Sequence, residues 1–488
     1  MGESKTTILF RGMSIQTAVT ITMGGLEILY FSIISRLLSK VDFGYFAAIM
    51  GVMSICMSLS EAGLGSAVIQ KKDASKQHIS SAFTLSIILG LICATALFLA
   101  SPWIADLIAD DTLVIPLRLM SSTIFLHSII SVGNAILYRN LNFKRIGFNS
   151  IIAYITSSCI AIAMAANGFG LYAVISAYII NSILLAILLY GFSVKIPSLG
   201  IDKKESKGII SFGGWLTAGV VLNNIGNQLD KLVLSKWLSV EALGSYNRPA
   251  GFVSSINTKI HSIFDTVLFP MLSDIQDDTK KVTNVFYRAV SLLNSFSVIF
   301  AAIFFFNAEL IVTIFFGASW LDIVPIMQIG SIGVIFSIDH RLVDCFFRSL
   351  NYVKTGTQLR LIGVGLTLTS LYIGVQYGII GVAWGILIAN LILVLVKMIT
   401  LAVKVKANIG SMFTTWLLAW KSAIIPIIVG GIYMVLPHSI ISNIVFALIF
   451  GTTIAIEFVF FPQLVGHEYQ SSVYPYVEKI KNKIFSRK

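Results

Sequence analysis

The strongest constraint on this chain is a succession of long apolar segments separated by short polar connections. Of its 488 residues, 56% are hydrophobic and only 12% are charged, whereas a soluble domain carries about 25% charged residues. An apolar run of about 20 residues crosses a bilayer as a helix, because a helix satisfies its own backbone groups. We therefore predict an all-α integral membrane protein with about 14 transmembrane helices, at 11–36, 43–68, 80–105, 113–137, 147–166, 170–191, 209–236, 243–270, 288–312, 323–345, 358–376, 379–402, 418–436 and 440–463.

Basic residues are concentrated in one set of alternate connections. Most of the 35 Lys and Arg residues lie in the two tails and in the connections after even-numbered helices, while the opposite connections keep only Arg36, Lys40 and Lys236. Cytoplasmic connections carry such an excess of positive charge. Both termini are therefore predicted to be cytoplasmic. The net charge of +12 then reflects membrane topology, so no nucleic-acid partner is predicted.

A segment that joins the first two predicted helices recurs about 200 residues later. Residues 36–45 read Arg-Leu-Leu-Ser-Lys-Val-Asp-Phe-Gly-Tyr, and residues 236–246 read Lys-Trp-Leu-Ser-Val-Glu-Ala-Leu-Gly-Ser-Tyr. With six helices in each half, the repeats are parallel and related by an axis along the membrane normal. We predict an N-lobe at 1–195 (helices 1–6), a C-lobe at 196–405 (helices 7–12), and accessory helices 13 and 14 with a basic tail at 406–488. Gly44 and Gly244 are expected to allow a tight turn or close helix packing at an outer gate.

Ionisable side chains occur within several predicted spans, where a charge facing lipid costs from about 3 to over 10 kcal/mol. Such residues therefore usually face a cavity or a charged partner. Residues of helices 1, 2, 7 and 8 form polar stripes that are predicted to line one cavity between the lobes: Glu27, Glu61, Asn223, Asn227, Asp230, Lys231, Tyr246, Arg248 and Lys259. On helix 7, Asn223, Asn227, Asp230 and Lys231 share one face.

Alternative roles exist for some of these residues. Asp230 is adjacent to Lys231 and is interpreted either as a cavity residue or as the partner of Lys231 or Arg248 in a structural ion pair. Glu61 lies near the inner interface, where a helix cap is an equal alternative. In helix 10, His340, Asp344 and Arg348 follow an i, i+4, i+8 spacing that favours a surface ion-pair ladder. His127 and Glu457 are expected to find local partners, and Arg118 has no evident one.

The cavity chemistry favours an anionic cargo with polar groups. Lys231, Arg248 and Lys259 concentrate positive charge, which attracts phosphate or pyrophosphate. Asn223, Asn227 and Tyr246 are candidates for hydrogen bonds to sugar hydroxyls. Glu27, Glu61 or Asp230 are candidates for binding a coupling cation or exchanging a proton. No motif for nucleotide, metal or acyl-transfer chemistry is present, so no cofactor, metal site or catalytic residue is predicted, and the chain is not expected to be an enzyme.

Several motifs resemble those of the Wzx-type polysaccharide exporters, and in particular the subgroup of colanic-acid exporters. The resemblance covers essentially the whole chain and is carried by Leu38-Ser-x-x-x-Phe-Gly44, Glu61-x-Gly63-Leu-Gly65-x-Ala67-x-Ile69-Gln70, Leu243-Gly-x-Tyr246-x-Arg248-x-x-Gly251 and Phe269-Pro270-x-Leu-Ser273-x-Ile-Gln276. These exporters belong to the multidrug/oligosaccharidyl-lipid/polysaccharide flippase superfamily. The resemblance implies two six-helix lobes around a hydrated cavity, as in the multidrug exporters of that superfamily, with two extra helices. The roles of Lys231 and Lys259 rest on spacing alone.

The resemblance also implies a cargo, a membrane and partners. The expected function is the flipping, by alternating access, of oligosaccharide repeat units on undecaprenyl pyrophosphate across a bacterial inner membrane, for surface polysaccharide synthesis. Membrane lipids are expected partners, and the polysaccharide polymerase machinery is a further candidate. The alternative is a small-molecule or drug/cation antiporter of the same superfamily. An enzyme acting on lipid-linked sugars is disfavoured, because the outer connections are short and nearly free of charged residues.

Overall fold

The chain is almost entirely helical, and the residues that its structure describes contain no β-strand. The computed structural model describes residues 5–71, 74–108, 111–435, 439–465, 469–475 and 477–478. For 5–14 and for many positions of 211–233 and 254–270 it describes the backbone alone. The described part divides into two compact units, Met1–Ser245 and Tyr246–Lys488. The boundary predicted at residue 195 between the lobes stays a prediction.

The first unit is built from eight helices and the start of a ninth. They are α1 (Lys5–Leu37), α2 (Lys40–Glu61), α3 (Leu64–Gln70), α4 (Lys76–Ile108), α5 (Val114–Arg139), α6 (Phe143–Ala166), α7 (Leu171–Leu188), α8 (Lys203–Trp237) and α9 (Val240–Asp274). The core of this unit includes buried side chains of α3, α4, α5 and α8, such as Val68, Phe83, Val132 and Ile209.

The second unit contains the rest of α9 and nine further helices. These are α10 (Thr279–Phe306), α11 (Ala308–Phe315), α12 (Val324–Ser349), α13 (Val353–Val375), α14 (Gly378–Lys404), α15 (Ile409–Leu418), α16 (Ile424–Tyr433), α17 (Ile440–Phe460) and α18 (Pro462–Val465). One aromatic cluster joins the last predicted spans to α10, since Tyr433 stacks on Phe446 and Phe306 packs against Phe450.

Twelve helical segments among the described residues are long and apolar enough to cross a membrane. They coincide with twelve of the predicted spans. The other two predicted spans lie within α8 and α9, which are 35 residues long each and carry the densest sets of polar residues. The predicted fold class, an all-α membrane protein, is therefore confirmed.

Three predicted spans are interrupted, which corrects the continuous helices predicted from hydropathy. The span 43–68 breaks between α2 and α3, where Ala62 and Gly63 have left-handed backbones with φ of 42° and 66°. The span 288–312 breaks at Asn307, between α10 and α11. The span 418–436 begins earlier, at Ile409, and contains a 3₁₀ turn over Ala419–Ala423. A hydropathy window does not detect such breaks, because the residues around them remain apolar.

The repeated segment has the same local structure in both copies. Ser39 begins α2, where its hydroxyl accepts a hydrogen bond from the Asp42 backbone N–H at 3.1 Å and its own N–H donates to the Asp42 carboxylate. Ser239 precedes α9, and its hydroxyl accepts from the Ala242 N–H at 3.0 Å. The first N–H groups of a helix have no partner within it, and a serine at this position supplies one. Each repeated serine is therefore an N-cap.

The repeated glycines bring the two copies into backbone contact. A Cβ added at Gly44 would overlap the carbonyl oxygen of Val240, and one added at Gly244 would overlap the carbonyl oxygen of Lys40. Lys40 and Val240 occupy equivalent positions in the two copies. The contact is therefore reciprocal. Glycine is needed at both positions because the Cβ of any other residue would overlap the facing carbonyl oxygen. The prediction of close packing at Gly44 and Gly244 is confirmed.

A second polar contact joins α8 to the preceding helices, outside the predicted span of α8. The Glu205 carboxylate lies 2.6 Å from Lys71 Nζ and 2.7 Å from Nδ1 of the buried His78. The pKa of Glu205 is lowered, chiefly by the hydrogen bond from Lys71 and then by that from His78. This cluster fastens the first turn of α8 to the end of α3 and to the start of α4.

Gly44→Ala is expected to destabilise the protein by about 1–3 kcal/mol, the usual cost of forcing extra atoms into a packed contact. The matched control is Gly25→Ala on α1, where nothing lies within 4 Å of an added Cβ. Alanine there is expected to be neutral or stabilising by up to about 1 kcal/mol. Thermal unfolding of the purified variants measures both effects. Equal unfolding temperatures for the two variants would contradict the close contact.

Glu205→Gln is expected to lower the thermal unfolding temperature in a pH-dependent way. A carboxyl whose pKa is lowered in the folded state stabilises the fold above its ordinary pKa of about 4.3 and loses that contribution as the pH falls through the folded value. The difference between wild type and Glu205→Gln should therefore be constant from neutral pH to about pH 5 and should shrink below that. Glu241→Gln, in the first turn of α9, is the control and should show no such trend. A pH-independent difference would refute the assignment.

Candidate functional site

The polar residues of α2 face α8 within the first unit. The side-chain amide of Asn224 on α8 donates a hydrogen bond to the Ser58 hydroxyl on α2. Ser58 in turn donates to the backbone carbonyl of Ser54 at 2.6 Å. About two turns away, Gly51 faces Lys231, with 3.8 Å between the position of a Cβ added at Gly51 and the Lys231 Cβ. The described polar contact between α2 and α8 is therefore made by Asn224, the sequence neighbour of Asn223, and the meeting of the predicted polar stripes stays a prediction.

Asp230 and Lys231 lie side by side and half-buried on α8. The Asp230 carboxylate accepts a hydrogen bond from the backbone N–H of Lys231 at 2.9 Å. The helix therefore presents both charges at the level of Gly51 in α2. Their predicted roles, cavity lining or mutual neutralisation, stay predictions.

The other predicted cargo residues are described to different extents. Asn223, Asn227 and Lys259 lie in helices α8 and α9, but their side chains fall outside the described part of the structure. Arg248 is half-buried in α9. Tyr246 is buried and lines a cavity of about 160 Å³ together with Ser337 and Asn390. Tyr246 and Arg248 belong to the second unit, whereas Asp230 and Lys231 belong to the first.

Glu61 ends α2 immediately before the break at Ala62 and Gly63. Its carboxylate lies 3.3 Å from Nδ1 of His127 on α5, which is an ion-pair distance when the imidazole is protonated. Both side chains remain more than a third exposed, at 39% and 38%, and line an open cavity of about 240 Å³ with Ser131, Asn134 and others. The local partner expected for His127 is therefore Glu61. Glu27, the third acidic candidate beside Glu61 and Asp230, is half-buried on α1.

Arg118, for which the sequence suggested no partner, is held by the end of α4. Its Nε donates a hydrogen bond to the Ser101 hydroxyl at 3.1 Å. The guanidinium also lies over the Phe98 ring, 5.0 Å from the ring centroid, where the face of the ring attracts a cation. Arg118 therefore has a structural role between α4 and α5.

A fully buried carboxylate in the second unit was not predicted from the sequence. Asp339 on α12 is 0% exposed and accepts hydrogen bonds from the Asn294 amide at 2.7 Å and from Trp416 Nε1 at 2.8 Å. The three residues come from α12, α10 and α15, so they tie the predicted accessory segment to the helices of this unit. Asp339 is an acidic residue within an apolar predicted span, and that signal could have identified it. The spacing of its neighbours His340, Asp344 and Arg348 suggested an ion-pair ladder instead.

The ladder predicted for His340, Asp344 and Arg348 does not account for the described partners of the Asp344 carboxylate. Asp344 instead pairs with cations on neighbouring helices, at 2.7 Å from Lys397 Nζ on α14 and 3.8 Å from Arg360 on α13. Lys397 is only 4% exposed, and a buried ammonium requires a carboxylate partner. The partner therefore follows from tertiary packing rather than from spacing along one helix.

Glu457 on α17 has no local partner among the described residues, and the partner expected for it stays a prediction. The residue is 0% exposed, and neither of its carboxylate oxygens has a hydrogen-bond partner within the described part of the chain. A buried acidic group without a partner is costly when ionised. Glu457 is therefore a buried acidic side chain without a described partner in the last apolar span. It is not one of the predicted cargo residues.

Proteins of surface polysaccharide synthesis are similar to this chain along most of its length. The lipopolysaccharide biosynthesis protein WzxC of Escherichia coli (strain K12) is 25% identical over 415 residues, which cover 82% of this chain and 81% of that protein. The teichuronic acid biosynthesis protein TuaB of Bacillus subtilis (strain 168) is 24% identical, over 80% of this chain and 81% of its own. The succinoglycan biosynthesis transport protein ExoT of Rhizobium meliloti (strain 1021) is 24% identical, over 62% and 61%.

Solved structures with the same fold are flippases and exporters. The inward closed conformation of the lipid II flippase MurJ aligns with a TM-score of 0.72 and 16% identity, over 97% of this chain and 99% of that chain. The inward-facing conformation of a multidrug resistance MATE family transporter of the MOP superfamily aligns with a TM-score of 0.66 and 15% identity, over 80% and 98%. At these identities the likeness establishes the fold.

The family assignment rests on a sequence profile that covers more than half of the chain. The profile of a family described as polysaccharide biosynthesis protein matches residues 33–325. This range begins before the first repeated segment and extends beyond α11. The chain therefore belongs to this family of polysaccharide biosynthesis proteins, and its fold is shared with the MurJ flippase and the MATE transporter.

Proposed function

We propose that this protein flips oligosaccharide repeat units, carried on undecaprenyl pyrophosphate, across the inner membrane of a bacterium by alternating access. The observation that carries the proposal is the similarity to WzxC over about four fifths of both chains. A fold shared with a lipid II flippase agrees with it. The positive charge of alternate connections supports an orientation with both termini in the cytoplasm.

The polar groups of α8 and α9 support an anionic, sugar-bearing cargo. Lys231, Arg248 and Lys259 supply positive charge within the predicted spans of α8 and α9, where attraction to a pyrophosphate is stronger than in water. Asn223, Asn227 and Tyr246 offer amide and hydroxyl groups for sugar hydroxyls. We assign headgroup attraction to the three cations and sugar orientation to the three polar residues.

The reciprocal glycine contact is proposed to act as the outer gate. Two helix N-termini with equivalent sequences meet there through backbone atoms, around Gly44 and Gly244. A contact without interlocking side chains separates without repacking a core, and each helix end keeps its own serine cap. This arrangement suits an element that must open and close during transport.

Glu61 and His127 are proposed to bind the coupling ion. They face one another beside a break in the α2–α3 chain and line an open cavity. A carboxylate and an imidazole at this distance are able to share a proton or to respond to a cation. Glu27 and Asp230 are the other candidates for this role.

The double variant Arg248→Ala/Lys259→Ala is expected to abolish surface polysaccharide without loss of protein from the membrane, because the pyrophosphate loses its counter-charges. The measurement is surface polysaccharide in a deletion strain complemented with each variant. The matched control is Lys280→Ala/Lys354→Ala, which removes two exposed lysines from the first turns of α10 and α13 and should leave polysaccharide unchanged. Normal polysaccharide in the first double variant would falsify the assignment.

The same strains distinguish the alternative function. A small-molecule or drug/cation antiporter, which the MATE-like fold allows, would leave surface polysaccharide intact on deletion and would change resistance to toxic compounds. A polysaccharide defect without a change in resistance supports the flippase.

Glu61→Gln is expected to reduce transport and to flatten its dependence on pH, because the amide does not take up a proton. Transport of a labelled lipid-linked oligosaccharide into vesicles, followed between pH 6 and pH 8, measures this. Glu309→Gln on α11 is the control and should transport like wild type. An unchanged pH profile in Glu61→Gln, with Glu27→Gln or Asp230→Asn flattened instead, would assign coupling to those residues and overturn the role of Glu61.

A further inference from the structure

A polar cavity that is lined by three basic side chains lies at one end of the first unit. Its volume is about 500 Å³, and it is enclosed by the start of α4, the turn between α5 and α6, and the connection that follows α7. Lys76, Arg145 and Lys195 are among the residues that line it, and no carboxylate is among the described lining residues. The residues that line it include none of α2, α8 or α9, so the proposed flippase function does not use it.

Two of the three cations have no hydrogen-bond or ion-pair partner among the described residues. Arg145 is anchored, since its guanidinium donates a hydrogen bond to the backbone carbonyl of Ser193 at 2.9 Å. Lys76 and Lys195 are exposed, and neither forms a hydrogen bond or an ion pair with another residue of the described part of the chain. Three like charges around one cavity repel each other unless an anion binds among them.

The wall of the cavity is a fixed structure rather than a loose loop. Hydrogen bonds fasten the connection after α7 to one face of α4: Ser198 to Ser80 at 2.9 Å, the Gly200 N–H to Thr84 at 3.0 Å, and the Asp202 N–H to Ser81 at 3.0 Å. The Asn149 amide also donates to the Ser193 hydroxyl at 3.0 Å. Lys195 is therefore held beside the start of α4.

The same connection exposes large apolar side chains next to its lysine. Phe192, Ile196, Leu199 and Ile201 are 74%, 67%, 72% and 53% exposed. In water such a group of side chains would be unfavourable. At the boundary between headgroups and acyl chains it is favourable, because apolar side chains enter the acyl region while basic ones stay at the level of the phosphates.

We propose that this cavity binds the phosphate of an anionic phospholipid, with Lys76, Arg145 and Lys195 around the phosphate and the apolar side chains of the connection against the acyl chains. Basic pockets between transmembrane helices on the cytoplasmic side commonly bind acidic headgroups. The volume falls in the range of small-ligand pockets, about 300–1,000 Å³. The exposed apolar side chains favour a lipid over a free phosphate compound, which would gain nothing from them.

The test compares binding of phosphatidylglycerol to the purified full-length protein, measured by native mass spectrometry. Lys76→Gln/Lys195→Gln removes the two unneutralised charges and leaves the Arg145 anchor intact. The control, Lys203→Gln/Lys204→Gln, removes two exposed charges nearby on α8 that do not line the cavity. We expect about thirtyfold weaker binding of one phosphatidylglycerol in the first variant, from the usual contribution of each lysine near an acidic membrane surface, and no change in the control.

Two further arms identify the source of the phosphate. Phosphatidylcholine, which carries no net charge, should not occupy the site. Glycerol phosphate, which has the same phosphate without acyl chains, should not displace the lipid at equal concentration. Equal loss of binding in both lysine variants would overturn the proposal, as would full displacement by glycerol phosphate, which would assign the cavity to a free phosphate compound. Thermal unfolding of both variants confirms that they are folded.

Discussion

A helix within a bilayer must satisfy its own backbone hydrogen bonds, because the hydrocarbon region contains no water to do so. That constraint makes polar side chains and helix breaks costly wherever they face lipid, and each therefore needs a local compensation. The break after α2 opens beside Glu61, His127 and a cavity. The buried Asp339 is satisfied by an amide and an indole, and the buried Lys397 by Asp344. The need to avoid unpaired polar groups in lipid makes most of the chain apolar. The same need explains why the break after α2, Asp339 and Lys397 each have polar neighbours.

The repeated segment combines two devices that a duplicated helix hairpin needs at its tip. A serine caps the second helix of each copy, and a glycine five residues later lets the backbones of the copies touch. The distance between the repeats in sequence says nothing about contact in space, yet the equivalent positions Lys40 and Val240 each accept the glycine of the other copy. A duplicated sequence that contacts itself in this reciprocal way is what a two-fold arrangement produces. The chemistry of the cargo is assigned to residues farther along α8 and α9.

Hydropathy and spacing predicted the helices well and their partners poorly. All fourteen predicted spans coincide with helices, because burial in lipid acts on the average over about 20 residues. The breaks at Ala62–Gly63 and at Asn307 depend on single residues, and an average does not detect them. Spacing placed His340, Asp344 and Arg348 on one face, but Asp344 pairs across to α13 and α14, since the nearest cation in space is decided by packing. Arg118 found its partners, Ser101 and Phe98, in the neighbouring helix.

The function proposed for this protein is to move a lipid-linked oligosaccharide from one leaflet of the membrane to the other. The most direct measurement uses vesicles that contain the purified protein and an undecaprenyl-pyrophosphate oligosaccharide with a fluorescent label on its sugar, to which a membrane-impermeant quencher is added. Label in the inner leaflet is protected unless the lipid is flipped. We predict that vesicles with the protein lose nearly all of their fluorescence, while protein-free vesicles keep the protected fraction. An equal protected fraction in both, with the protein folded in the membrane, would contradict the account.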